Sequence, residues 1–227
     1  MVEAPAAPLA RPVSADGAPY QHLSAAERYI HQSRDRALLA LLRRHSIDRL
    51  VGLRILELGC GAGSLLRSLL HYGVDPERLE GIDIDSAKLA AAREGLPDVR
   101  LAVGDIASLP YRDGAFDLAF AFTVFTSIVD AGACRRGAAE AMRVLRPGRL
   151  LVVYDFWTNA TNRRVRPLRA AELRALFAPR RVELECVTLA PPIVRALGGR
   201  PGLCVPLERL PFLRTHLLAA VRKEAEP

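Results

Sequence analysis

The sequence predicts an α/β domain built on a mostly parallel sheet, and three observations predict it. Between about residues 50 and 155, short apolar runs alternate with amphipathic stretches at helical spacing. Glycine, proline and aspartate punctuate the joints between them. The run from Phe116 to Phe122 carries no polar residue after Asp117, as expected of a strand covered on both faces. A chain of 227 residues is long enough to bury a core of this kind without staples.

The elements follow in order. Residues 1–22 are rich in Ala and Pro and are expected as a loose arm; residues 23–227 are expected as one domain. Ser24-Ala25-Ala26-Glu27 is a capping-box pattern, opening a helix to about His45 with Tyr29, Leu38, Leu41 and Leu42 inward. This helix makes residues 23–48 an N-terminal cover. Strand Leu53 to Leu58, helix Gly63 to Tyr72 and strand Leu79 to Ile84 come next. A helix from Ser86 then stops at Gly95, read as a left-handed cap. Val99 to Val103 and Phe116 to Phe122 are strands, Gly132 to Leu145 a helix, and Leu150 to Tyr154 a strand. Ala170 to Phe177 reads as a helix, and Val182 to Leu189 and Leu213 to Val221 as closing strands. With no full helix between them, those two are expected to pair antiparallel. The Pro/Gly-rich insert between them, residues 190–211, is expected to be a substrate lid or a homodimer contact.

The apolar stretch Leu118 to Val129 is interrupted by Thr123, Thr126 and Ser127, so no bilayer span is expected. The first residues lack a basic start leading into an apolar run, so no secretory signal is expected either. The formal charge of +7 comes almost wholly from scattered arginines, with Lys88 and Lys223 the sole lysines. No basic run exceeds two residues and no aromatics interleave, so neither a nucleic-acid nor a membrane partner is expected. Cys60, Cys134, Cys186 and Cys204 show no zinc spacing. They suit a reduced, cytoplasmic chain without a metal site.

The chemistry concentrates at three strand ends. Glu57-Leu58-Gly59-Cys60-Gly61-Ala62-Gly63 runs a strand into glycines at every second position, where backbone approaches a ligand closely. Asp83 follows Gly63 by 20 residues at the tip of the next strand, where a carboxylate can accept ribose hydroxyls. Asp105-Ile106, at the end of the third, can hydrogen-bond and sandwich an adenine. A Walker loop is excluded because no Gly-Lys-Ser/Thr follows, and Ser64 stands where a dinucleotide fingerprint places glycine.

The Glu57–Gly63 segment resembles the nucleotide-binding motif of class I S-adenosylmethionine-dependent methyltransferases. Leu109–Asp117 and Arg143–Leu150 are similar to that family's approaches to its fourth and fifth strands. The resemblance covers about residues 50–157. It implies a Rossmann-like seven-stranded sheet with helices on both faces and the last strand antiparallel. It also implies S-adenosylmethionine as cofactor, held by Glu57, Gly59, Cys60, Gly61, Gly63, Asp83, Ile84, Asp105, Ile106 and Phe122.

The motifs of base-amino and RNA cytosine methylation are missing, and Thr123 to Ile128 supplies no acidic metal cluster. Val124–Ile128 and Tyr154–Trp157 resemble a subfamily acting on small molecules in bacterial biosynthetic pathways, which implies a small-molecule acceptor, with a hydroxyl oxygen expected as the atom methylated. N- or C-methylation, a fold kept only for binding, and a nicotinamide enzyme are the alternatives. Asp155 and His31 are the candidate bases. Tyr20, Tyr29, Phe125, Tyr154 and Trp157 are the candidate acceptor contacts. Beside these stand plainer roles: backbone capping for Asp155, strand core for Tyr154, solvated surface for His31, and packing for Cys60. His216 and the arginines Arg163, Arg164 and Arg166 complete the candidates near the site.

Overall fold

The computed structural model describes residues 24–158 and 166–225; the arm of residues 1–22, with Tyr20, and the arginines Arg163 and Arg164 lie outside them. Helix α1 (Ala25–Arg44) leads into β1 (Ile55–Leu58), α2 (Ser64–His71), β2 (Leu79–Asp83), α3 (Ser86–Gly95) and β3 (Arg100–Val103). There follow β4 (Phe116–Phe122), α4 (Ala131–Arg143), β5 (Leu145–Phe156), α5 (Ala170–Phe177) and β6 (Val182–Leu189). The short helices α6 (Pro191–Ala196) and α7 (Pro201–Glu208) precede β7 (Arg214–Arg222).

The seven strands form one sheet in the order β3-β2-β1-β4-β5-β7-β6. The first five run parallel, while β7 lies antiparallel between β5 and β6. This is the expected sheet. Because β1 stands at the point where the strand order reverses, its carboxyl end faces the crevice in which open α/β sheets take ligands.

Alternation along each strand divides the core into two layers. Leu56, Leu58, Leu151, Val153 and Leu217 point towards α4 and α5, together with Phe125 and Phe177. Ile55, Phe120, Val152, Tyr154 and Leu218 meet Leu38, Leu41, Leu65 and Leu69 of α1 and α2 on the other face. A smaller cluster joins α1 to the insert through Ala26, Tyr29, Val194 and Cys204.

Three local expectations are corrected. Ser24 stands at the N-cap of α1, but its side chain makes no capping hydrogen bond. Gly95 is the last residue of α3 and does not adopt a left-handed conformation. The chain turns instead at Leu96, whose φ of −141° swings a buried side chain back onto the core. The insert, read as lacking a full helix, holds two short ones: α6 and α7 each begin on proline, whose fixed φ and missing N–H suit a first helical turn.

Candidate cofactor and acceptor site

The turn after β1 is built from three left-handed glycines that serve different ends. A Cβ on Gly59 would meet Val124 Cγ2 at 2.7 Å, and one on Gly63 would meet Leu96 Cδ1 at 2.5 Å, so both are fixed by close packing. A Cβ on Gly61 would find nothing nearer than Lys88 Cδ at 3.8 Å and would point towards Asp83. Gly61 therefore opens a cradle. Cys60 packs its sulfur over Gly81, and burial pushes its thiol up, far from nucleophilic use.

Asp83 closes the cradle. Its Oδ2 accepts from the Gly61 amide at 2.7 Å and its Oδ1 from the Asp85 amide at 2.8 Å. Each oxygen keeps a lone pair for a further donor. Beside it, Ile84 leaves 72% of its surface uncovered and Val103 is also exposed, an apolar shelf next to a carboxylate. Asp105, exposed at the end of β3, accepts from the Ala107 amide at 2.8 Å. Ile106 turns inward against Gly137 of α4. The shelf for a flat ring is thus formed by Ile84 and Val103 more than by Ile106.

Glu57, one strand position before the turn, is fully buried, and its Oε2 has no hydrogen-bond partner. Burial raises its pKa to about 8, although the Arg34 guanidinium pulls in the opposite direction. An orphaned, buried carboxyl oxygen at the mouth of a glycine turn suits a cationic or amino donor. Arg34 itself, buried on α1, was not singled out from the sequence. Its Nε donates to Asp35 at 2.8 Å, and its guanidinium lies 5.7 Å from the Phe122 ring centroid. Its only sequence signal is an arginine within one turn of the apolar positions of α1.

At the tips of β4, β5 and β7 aromatic rings form a column. Phe122 and Tyr154 lie 5.1 Å apart, Tyr154 stacks on His216 at 4.5 Å, and His216 meets Phe156 at 4.1 Å. The Tyr154 hydroxyl donates to Thr188 at 3.0 Å. Burial lowers the His216 pKa to about 3, so the imidazole is neutral. Asp155 is fully buried, and its carboxylate accepts from both the amide and the hydroxyl of Thr126. Desolvation raises its pKa to about 6 against those hydrogen bonds. It ties the tip of β5 to the loop after β4.

The remaining candidates are spread more widely. Phe125 is drawn wholly into the core, edge-on to Phe177 at 5.8 Å. Trp157 is half-buried, and its indole donates to the Arg214 carbonyl at 2.9 Å. Tyr29 donates to Glu208 of α7 at 2.7 Å and so faces the insert. His31 is half-buried on α1 and already engaged in an interaction. Arg166 pairs with Glu172.

Residues 55–148 match the family model described as a methyltransferase domain. This segment is thus a methyltransferase domain. Over 121 residues the chain is 34% identical to a demethylmenaquinone methyltransferase of Beutenbergia cavernae, covering 52% of this chain and 48% of that one. It is 36% identical over 115 residues to phthiotriol/phenolphthiotriol dimycocerosates methyltransferase 1 of Mycobacterium ulcerans, covering 47% of this chain and 38% of that one. The chain thus spans less than half the length of these curated relatives. An S-adenosylmethionine-dependent methyltransferase from Mesorhizobium loti shares the fold, with a TM-score of 0.59 and 22% identity over 82% of this chain and 98% of that one. So does SpnF, described as a [4+2]-cyclase, with a TM-score of 0.60 and 23% identity over 86% and 82%.

The methyltransferase domain has a place for the family's cofactor. The Gly61 cradle gives room for close backbone approach, Asp83 retains acceptor capacity, Ile84 is uncovered, and the Glu57 oxygen lacks a donor. These are the chemical needs of a ribose, an adenine and an amino group.

Proposed function

We propose that this protein transfers a methyl group from S-adenosylmethionine to a small, apolar acceptor. The observation that carries the reading is the Gly61–Asp83 unit, a cradle with an acceptor at its wall, beside the orphaned Glu57 oxygen. S-adenosylmethionine supplies a methyl already activated on sulfonium. The chain's part is to hold it, align the acceptor and exclude water. In this reading Asp83 accepts the ribose hydroxyls, Ile84 and Val103 carry the adenine, and Glu57 receives the amino group. The electron-rich faces of Phe122 and Tyr154 stand at the sulfonium end.

The sequence pointed to a hydroxyl oxygen as acceptor. A carbon acceptor is the second reading, and the burial of Asp155 and His216 favours it. A hydroxyl gains from a general base within reach of its proton, whereas an activated carbon or amine needs less help. The relatives' names also include quinone and sterol C-methyltransferases. In either case Asp155 acts as a positioning residue, fixing the β4 loop through Thr126.

Calorimetric titration with S-adenosylmethionine, S-adenosylhomocysteine and NAD tests the cofactor. Micromolar binding of the first two and none of the third is expected; preference for NAD would overturn the reading. Labelled methyl, offered with paired acceptors bearing either a phenolic hydroxyl or an activated ring carbon, then separates oxygen from carbon.

A further inference from the structure

The insert between β6 and β7 has an outward face that the methyl-transfer reading does not use. In α7, Cys204 alone is fully buried, while Leu207 and Glu208 are half-buried. The rest of the helix's circumference, with Gly202, Leu203, Val205 and Pro206, faces solvent. A helix whose exposed side is apolar has a surface still to cover. Phe212 leaves 75% of its surface exposed and Leu203 47%, and Val205 and Leu210 are exposed between them. Exposed apolar residues gathered in one segment mark an interaction site.

The charge around this face is one-sided. Arg200 and Arg209 flank α7, are exposed, and have no acidic partner among the described residues. The one acid of the segment, Glu208, turns inward, where it accepts from Tyr29 and Ser33 of α1 and pairs with Arg36 at 3.3 Å. Arg195 pairs with Glu27 at 3.0 Å, and Gly199 lies against the backbone of Ala25. The segment is thus seated on α1 by its inner side, with apolar side chains and unpaired guanidinium groups left outside.

We propose that this face docks on an anionic lipid surface. Apolar side chains enter the headgroup boundary while Arg200 and Arg209 meet lipid phosphates. A second copy of the chain is a poorer occupant, because a two-fold contact through this face would gather the arginines of both copies while Glu208, the segment's one acid, is turned inward. Among the described residues no helix is long and apolar enough to cross a membrane, so the contact lies on the bilayer. The proposal departs from the expectation, drawn from scattered arginines, that the chain has no membrane partner. β7 runs antiparallel to β5, with His216 beside Phe156, so the insert stands at the carboxyl edge of the sheet. A docked insert would bring that edge to the bilayer, where an apolar acceptor resides; this last step rests on the proposed methyl transfer.

Flotation of the full chain with vesicles of phosphatidylcholine, with and without phosphatidylglycerol, tests the proposal. Binding only to the mixed vesicles is expected. Replacing both arginines (R200E/R209E) should weaken it by more than about tenfold, the scale of two basic contacts. The pair L203S/F212S should weaken it similarly, with unchanged circular dichroism and S-adenosylmethionine affinity in both variants. Failure of the wild type to float with anionic vesicles, or flotation of both variants undiminished from the wild type, would overturn the proposal. So would light scattering that finds a wild-type dimer made monomeric by L203S/F212S, which would assign the face to a second copy. Cofactor titration is read separately, so loss of the methyl-transfer reading and loss of lipid docking are distinguishable.

Discussion

The backbone amide of Gly61 donates to Oδ2 of Asp83 across 2.7 Å, joining the turn after β1 to the tip of β2. The carboxylate proposed to accept a ribose thus also holds the cradle in shape. Asp83→Ala removes both functions and should weaken S-adenosylmethionine binding by about 1.5–3 kcal/mol, measured by calorimetry. Unchanged affinity would take the cofactor away from this site.

The neighbouring glycines should separate binding from stability. Gly61→Val adds side chain to open space at a left-handed position with φ of +51°. It should abolish cofactor binding while costing about 1–2 kcal/mol of stability. Gly63→Ala drives a methyl against Leu96, so it should mainly lower the urea midpoint. Equal effects of the two on binding would contradict the division of roles.

Cofactor binding should release a proton near neutral pH. Glu57, at about 8 in the free protein, is largely protonated at pH 7, and an amino group beside it favours the carboxylate. Affinity should rise as pH rises towards 8 and level off above it. Calorimetry in buffers of different ionisation enthalpy reads the released proton, and Glu57→Gln should abolish the buffer dependence.

His216 makes the fold sensitive to acid. Its folded pKa near 3 lies below the unfolded value, so the unfolded chain binds the proton first and stability falls as pH drops below about 6.5. Between pH 6.5 and 4.5 this contributes a loss of about 2–3 kcal/mol. Asp155, whose folded pKa is raised to about 6, acts in the opposite sense, losing stability as pH rises from 4 to 6. His216→Phe isolates the imidazole: urea midpoints of variant and wild type should diverge as pH falls. Parallel curves would contradict a buried neutral ring.

Asp155→Asn should cost stability by about 1–3 kcal/mol through the lost acceptor for Thr126, and leave cofactor affinity intact. Methyl-transfer rates measured across pH then test its positioning role. A base predicts loss of the acidic limb, whereas a positioning residue predicts a uniform fall in kcat.

The glycine turn and the strand-tip acids of the candidate site were legible in the sequence because their signals are local. Glycines at alternate positions, an acid at a strand tip and an uninterrupted apolar strand each announce themselves within a few residues. The acceptor half was less so. Phe125 and Trp157 follow strand ends, yet the side chain of one enters the core and the indole of the other donates to Arg214. Arg34 and Glu208 matter through the charge of one on Glu57, 23 residues away in the chain, and the hydrogen bond of the other to Ser33, 175 residues away, which no periodicity encodes. The insert, read as Pro/Gly-rich and without a full helix, holds two short helices that begin on Pro191 and Pro201.

The reversed direction of β7 means that residues 190 and 213 both sit at one edge of the sheet, joined by a hairpin of helices that never crosses it. Length and composition can drift within that hairpin without shifting any strand's register. The sheet's opposite flank, where β1, β2 and β3 present Glu57, Asp83 and Asp105, is untouched by such drift. The fold therefore separates a part that must stay constant from one free to follow whatever molecule, or surface, the protein meets.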